Sequence, residues 1–150
     1  MSDAHTPIDK LDGHCLCGAV TISVTQMKPL IDVCHCDMCR RWGGSALMGV
    51  SGESFTVGGR EHITSYPSSD WAERAFCNKC GSNLWFRFTP ADNFSFLAGL
   101  FDLPDETEFE QQIFVDEKPG YYDFAQQCPM KTGADIIAEA QAAGHTFDES

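Results

Sequence analysis

This sequence predicts a mainly β fold with one short C-terminal helix, and three observations lead to it. Seven short runs rich in β-branched or aromatic residues are separated by Gly, Pro, Asn or Asp. A single stretch near the carboxyl end carries helix signals at both ends. Cysteine pairs far apart in the chain have the spacing of shared metal ligands, which argues against dividing residues 1–150 into two domains.

In chain order, the predicted strands begin with AVTISV (Ala19 to Val24), ALMGV (Ala46 to Val50) and ITSY (Ile63 to Tyr66). AERAFC (Ala72 to Cys77), NLWFRF (Asn83 to Phe88), FSFLAGLF (Phe94 to Phe101) and QQIFV (Gln111 to Val115) follow. Turns are expected at Val57-Gly58-Gly59, Tyr66-Pro67-Ser68-Ser69-Asp70 and Leu103-Pro104-Asp105, where Gly and Pro punctuate the pattern. The helix is expected over Ala134 to Ala143, with Thr132 as cap, Asp135 three residues on, and Gly144 as stop. A short helical turn is expected through Arg41 and Trp42 before Gly43-Gly44 ends it. No repeat, low-complexity tract or linker interrupts the chain.

Composition excludes several function classes. A chain of 150 residues with 43% apolar side chains and 11 phenylalanines can bury a core without disulfides. The formal net charge of -12, from 22 acidic against 10 basic residues, would repel a polyphosphate backbone, so nucleic acid is not an expected partner. No apolar run reaches membrane-spanning length, and MSDAHTPIDKLDGH lacks the apolar and cationic regions of a secretory signal. A cytoplasmic protein is expected, in which a disulfide framework would not persist.

The eight cysteines therefore need another role. Cys15 and Cys17 form C-x-C; Cys34, Cys36 and Cys39 form C-x-C-x-x-C; Cys77 and Cys80 form C-x-x-C; Cys128 stands alone. Thiolates two or three positions apart reach one ion from a single turn, and zinc takes four ligands in a tetrahedron. Gly18 and Gly81 follow two of the clusters, where a positive φ would aim backbone amides at sulfur. The strand-like GSNLWFRF after Cys80 argues against a thioredoxin-type dithiol. The seven clustered thiols divide into a closed set of four, Cys15, Cys17, Cys77 and Cys80, and a set of three, Cys34, Cys36 and Cys39. Three ligands with an open fourth position is the catalytic pattern, and a filled position the structural one. His35 and Cys128 are the candidates to fill it; His35 is the poorer one, because its flanking cysteines claim the metal and adjacent side chains diverge.

These residues resemble a known family. C-x-C-G-x-V at Cys15 to Val20, CHCDMCRR with WGGSA behind it, and R-x-F-C-x-x-C-G-S-x-L at Arg74 to Leu84 are similar to the glutathione-dependent formaldehyde-activating enzymes. IFVDEKPGYYDF, Ile113 to Phe124, is similar to that family's closing motif. The motif-bearing core spans about residues 13–124, and 125–150 form a C-terminal extension, of which Lys131 to Ser150 has no firm counterpart in the family's pattern. The resemblance implies a β-tent fold related to zinc ribbons and two zinc ions per chain. It implies a structural zinc on Cys15, Cys17, Cys77 and Cys80, and a catalytic zinc on Cys34, Cys36 and Cys39. The implied activity joins formaldehyde to glutathione as S-(hydroxymethyl)glutathione, classed as a carbon-sulfur lyase for the reverse direction.

The triplet suits that chemistry. A thiol is mostly protonated near neutral pH, and zinc coordination would deprotonate it beside the carbonyl. Three thiolates leave the metal unit with net negative charge, which favours thiol transfer over hydrolysis. Arg40 and Arg41, directly after the last ligand, are the candidates to receive a glutathione carboxylate, with donation to the zinc thiolates as their structural alternative. His35 and Asp37 flank ligands and are candidates for proton transfer. Trp42, Trp85, Tyr121 and Tyr122 could wall a pocket or fill the core. The C-terminal helix could cover a pocket, mediate a homo-oligomer or cap the β core. Two alternatives to the lyase stay open: a binding module with both zincs structural, and an enzyme of another reaction class on the same fold.

Overall fold

The computed structural model describes residues 6–145. The first five residues of the amino-terminal stretch read above, and the last five of the extension, lie outside the described residues. The chain is mainly β, with eleven strands and two α-helices among the described residues. It forms two compact units, one of residues up to Leu30 with Gly49–Glu108, the other of Ile31–Met48 with Phe109 onward. No described helix is long and apolar enough to cross a membrane.

In the first unit, β1 (Ile8–His14), β2 (Thr21–Met27) and β5 (Ser54–Gly58) make an antiparallel sheet in the order β1-β2-β5. His14 lies opposite Thr21, and Thr21 opposite Gly58. Alternation along β2 buries Ile22 and Val24 and leaves Thr21 exposed, so one face of the strand supplies core. Each such aliphatic side chain contributes about 1.5–3 kcal/mol when fully buried. The other strands are β6 (Ile63–Ser69), β7 (Ala72–Cys77), β8 (Asn83–Phe88) and β9 (Asn93–Leu97), paired antiparallel in sequence order. Gly49 and Val50, at the end of β4 (Leu47–Val50), pair with Leu97 and Phe96. Phe96, almost fully buried, meets Phe55 at 5.0 Å and Trp85 at 6.1 Å between ring centroids, both edge-on. Trp85 is thus a core residue and does not wall a pocket.

In the second unit, β3 (Leu30–Cys34) leads into α1 (Asp37–Gly43), and the chain then enters β4. β10 (Glu108–Ile113) and the two-residue β11 (Met130–Lys131) complete the order β11-β10-β3-β4. α2 (Gly133–Ala142) is capped as its sequence predicts. Asp135 donates its N–H to Thr132 Oγ1 at 3.2 Å, and Thr132 donates its N–H to Asp135 Oδ2 at 2.9 Å, a reciprocal capping box. Gly144 ends the helix at φ 95°. α2 packs on the turn Val115–Glu117, and Gly133 donates its N–H to Asp116 Oδ1 at 2.8 Å.

Several boundaries differ from the sequence pattern. β6 continues through Pro67 to Ser69, with a register shift between those two residues, where a turn was expected. It stands last in its strand order, and an edge tolerates the missing donor of proline. The strand expected through Val115 ends at Ile113, because Phe114 adopts φ 56° and a 3₁₀ turn follows over Val115–Glu117. FSFLAGLF is likewise strand only to Leu97, then a 3₁₀ turn over Ala98–Leu100. Asp32 lies between Ile31 and Val33 in β3, and β1 reads IDKLDGH; neither has the apolar alternation that marks a strand.

Candidate metal centres

The four-cysteine set is built on two hairpin tips of the first unit. Cys15 follows β1, and its N–H donates to Val20 O at 3.0 Å; Cys77 ends β7, and its N–H donates to Ser82 O at 2.9 Å. Each tip reverses through a glycine with positive φ, Gly18 at 80° and Gly81 at 81°. The glycine amides bond to Cys15 O and Cys77 O, at 3.1 and 2.8 Å, rather than to sulfur. Other amides are aimed at sulfur, among them that of Val20, 3.3 Å from Cys15 Sγ. Ser82 ties the tips together: its Oγ accepts from Leu16 N–H at 2.9 Å and donates to Cys80 Sγ at 3.2 Å. Sequence reasoning missed this residue, although its place two positions after Cys80 was a usable signal.

The sulfurs of Cys15, Cys17, Cys77 and Cys80 all lie within 4.8 Å of one another. Cys15 to Cys17 is 3.7 Å and Cys17 to Cys77 is 3.9 Å. Four sulfurs on a tetrahedron about zinc, with bonds of about 2.3 Å, stand about 3.8 Å apart, so the residues present fit that ion. The protein environment already divides these thiols. The Ser82 hydroxyl, then the Ser82 backbone, lowers Cys80 to about 5. Cys17 accepts a lowering bond from the Ala19 backbone, but burial and the neighbouring thiols push it up to about 11.

The three-cysteine set belongs to the second unit. Cys34 ends β3, Cys36 caps α1, and Cys39 lies buried in its first turn. Cys39 N–H donates to Cys36 Sγ at 3.4 Å, and Gly44, at φ 90°, returns its N–H to Arg40 O at 2.7 Å. The expected helical turn therefore begins within the triplet. Sγ of Cys34, Cys36 and Cys39 lie within 4.8 Å of one another. Donation of the Cys34 thiol hydrogen toward the Cys36 and Cys39 sulfurs, then burial, pushes the Cys34 thiol far up, because three neighbouring thiols cannot ionise together unaided. A dication is the group that relieves this, and the donor set fits zinc with one position left to fill.

The residues around the triplet take distinct roles. His35 is fully buried and bonds to two side chains, Tyr122 Oη and Gln112 Oε1, both at 2.8 Å. Its side chain is shut off from water, and both ring nitrogens are taken. Burial, then the charges of Lys118 and Arg40, holds it below the ordinary histidine value, so it is neutral at pH 7. Cys128 is not among the clustered sulfurs; it accepts from Gln112 Nε2 at 3.7 Å. Gln112 was not singled out from sequence, and its only signal was a polar residue in the run QQIFV. Arg40 Nε donates to His35 O at 3.0 Å, with its side chain 23% exposed, while Arg41 is 80% exposed and reaches Asp37 Oδ2 at 3.0 Å. Asp37 is thus committed to the arginines, and its N–H to Glu117 Oε1 at 2.9 Å. Tyr121 is exposed, and its ring stands 5.4 Å from that of Tyr122. Lys118, unnoticed in the sequence, donates to Tyr122 O at 2.6 Å and pairs with Asp123 at 2.7 Å, which fixes this loop.

Comparison with known proteins accords with this arrangement. A family model described as glutathione-dependent formaldehyde-activating enzyme matches residues 10–117. An uncharacterized lyase of Schizosaccharomyces pombe is 36% identical over 128 residues, which cover 84% of this chain and 93% of the relative. The crystal structure of a Rhodobacter sphaeroides protein, a structural genomics target, superposes with a TM-score of 0.51 at 23% identity. That match covers 66% of this chain and 99% of the other, and is a likeness of fold.

Proposed function

Because the chain belongs to the glutathione-dependent formaldehyde-activating enzyme family, we propose that it is a carbon-sulfur lyase working at Cys34, Cys36 and Cys39. Its substrate is the adduct of a small aldehyde, formaldehyde first, with glutathione or another thiol. The observation that carries this reading is the three-sulfur cluster itself, which offers zinc one ligand too few to close the site. Zinc bound there would keep an added substrate thiol deprotonated at neutral pH and hold it as a nucleophile. The four-cysteine set has no such opening and serves as the structural zinc site.

The surrounding residues supply the rest. Arg40 is the better of the two arginines to receive a substrate carboxylate. Its Nε is locked on the His35 carbonyl, which aims the guanidinium, whereas Arg41 is spent on an exposed pair with Asp37. His35 does not relay protons to water, because it is buried; its part is to hold the turn. Nothing in the second unit puts Cys128 in the triplet, which favours catalysis over a closed binding module.

The test combines metal analysis with an assay of S-(hydroxymethyl)glutathione formation and cleavage, in wild type and Cys36→Ser. Two zincs falling to one, with the fold retained and the rate lost, is the expected result. No wild-type rate above the uncatalysed reaction would refute the lyase reading.

A further inference from the structure

Four side chains of the second unit form one directed chain of hydrogen bonds. Gln112 Oε1 can only accept, so at 2.8 Å from His35 Nε2 it fixes the ring proton on that nitrogen. Nδ1 is then left as an acceptor, and the Tyr122 hydroxyl, 2.8 Å away, must donate to it. At the far end, Gln112 Nε2 points its hydrogen at Cys128 Sγ. The His35 ring is further fixed by stacking on Tyr122, 5.5 Å between centroids at 26°, with Phe124 at 6.0 Å. Its backbone is held as well: Arg40 Nε reaches His35 O, and His35 N–H reaches Ile113 O, both at 3.0 Å.

This chain determines what Tyr122 can offer. Its proton is turned inward to the buried ring of His35, so its oxygen presents lone pairs alone. Its hydroxyl stands 2.8 Å from the ring of His35, whose chain neighbours are Cys34 and Cys36, and that contact sets Tyr122 beside the triplet. A phenol oxygen so arranged accepts a hydrogen bond and does not give one.

We infer that Tyr122 positions the substrate at the three-cysteine site: its phenol oxygen accepts the hydrogen bond of the hydroxymethyl O–H of a thiol-aldehyde adduct. His35 and Gln112 are positioning residues that act through it. The inference rests on the lyase reading and adds a residue to it. In cleavage the carbon-sulfur pair leaves with sulfur, the O–H pair becomes the second carbon-oxygen bond, and the proton passes to water. Tyr122 aligns that O–H. It also favours a hydroxymethyl adduct over a thioether, which has no proton to donate.

The test uses the zinc-loaded protein with ¹⁵N-labelled histidine and the variants Tyr122→Phe and Gln112→Leu. The wild type should show His35 protonated on Nε2, with Nδ1 at the shift of a hydrogen-bonded acceptor. Tyr122→Phe should move the Nδ1 signal toward that of a free acceptor, keep two zincs, and lose roughly tenfold in kcat/KM on S-(hydroxymethyl)glutathione. Gln112→Leu should release the tautomer to Nδ1–H and lose activity to a similar extent. A wild-type His35 protonated on Nδ1 overturns the inference. So does Tyr122→Phe with unchanged kcat/KM, or one that loses zinc, since the contact is then purely structural. A wild type without turnover instead overturns the lyase reading, and is recognisable because the tautomer result stands apart from it.

Discussion

Replacing Gln112 by leucine separates the buried hydrogen-bond chain from ordinary packing. The two side chains have similar volume, so no large cavity opens. What is lost is the 2.8 Å bond from His35 Nε2–H to Gln112 Oε1 and the long contact to Cys128. His35 and Gln112 are 0% and 1% exposed, so water cannot take over the ring nitrogen left without a partner. A neutral buried hydrogen bond is worth about 1 kcal/mol net, and leaving a buried donor or acceptor unsatisfied costs about 1–3 kcal/mol. Burying leucine in place of an amide returns about 1 kcal/mol of that. The balance is a destabilisation of about 2 kcal/mol, or about 4–8 °C in unfolding midpoint for a chain of this size. Thermal unfolding of the zinc-loaded protein, followed by far-ultraviolet circular dichroism, measures it. The double variant with His35→Leu should recover about 1–2 kcal/mol relative to the sum of the single losses, because neither partner is then stranded. Equal stability of Gln112→Leu and wild type within about 0.5 kcal/mol, or strict additivity, would refute the bond as the cause.

Three further outcomes follow from the two centres. Ser82→Ala removes the hydroxyl shared by Leu16 N–H and Cys80 Sγ, and should weaken zinc at the four-cysteine set roughly tenfold in chelator competition without affecting the triplet. In metal-free protein, thiolate at Cys80 forms as pH rises through its lowered value of about 5; alkylation by iodoacetamide should accelerate through that pH, and Ser82→Ala should move the midpoint upward. Arg40→Ala should raise the KM for glutathione about tenfold, against twofold or less for Arg41→Ala. Arg40→Lys should not restore it, since lysine has no Nε–H to donate to His35 O while a second donor meets the substrate.

Much of this molecule was legible in its sequence, for reasons that differ by element. β7 and β8 were read to the residue, because AERAFC and NLWFRF place aromatic and small apolar side chains where they are needed and end at turn formers. α2 was equally plain: Thr132, Asp135 and Gly144 are local signals, and the capping box they form needs no long-range partner. β1 and β3 were not legible. Their pairing is decided by neighbours distant in sequence, and Asp32 in the middle of β3 hides its apolar faces. The cysteine grouping was readable because ligand spacing is a local property of each turn, and the structure brings the same sets together. The roles of His35 and Cys128 were not, since Gln112 and Tyr122 lie 77 and 87 residues from His35. A histidine inside C-H-C reads as a ligand or proton carrier until the residues that take its two nitrogens are known.

The central claim is that the three-cysteine site accepts a substrate sulfur. Cobalt placed in both sites and titrated with glutathione tests it most directly, through the sulfur-to-metal charge-transfer bands. In the wild type these bands should grow and shift with saturable dependence on glutathione, while Cys36→Ser, with only the four-cysteine set loaded, should show no response. A wild-type spectrum that stays unchanged at saturating glutathione would contradict the claim.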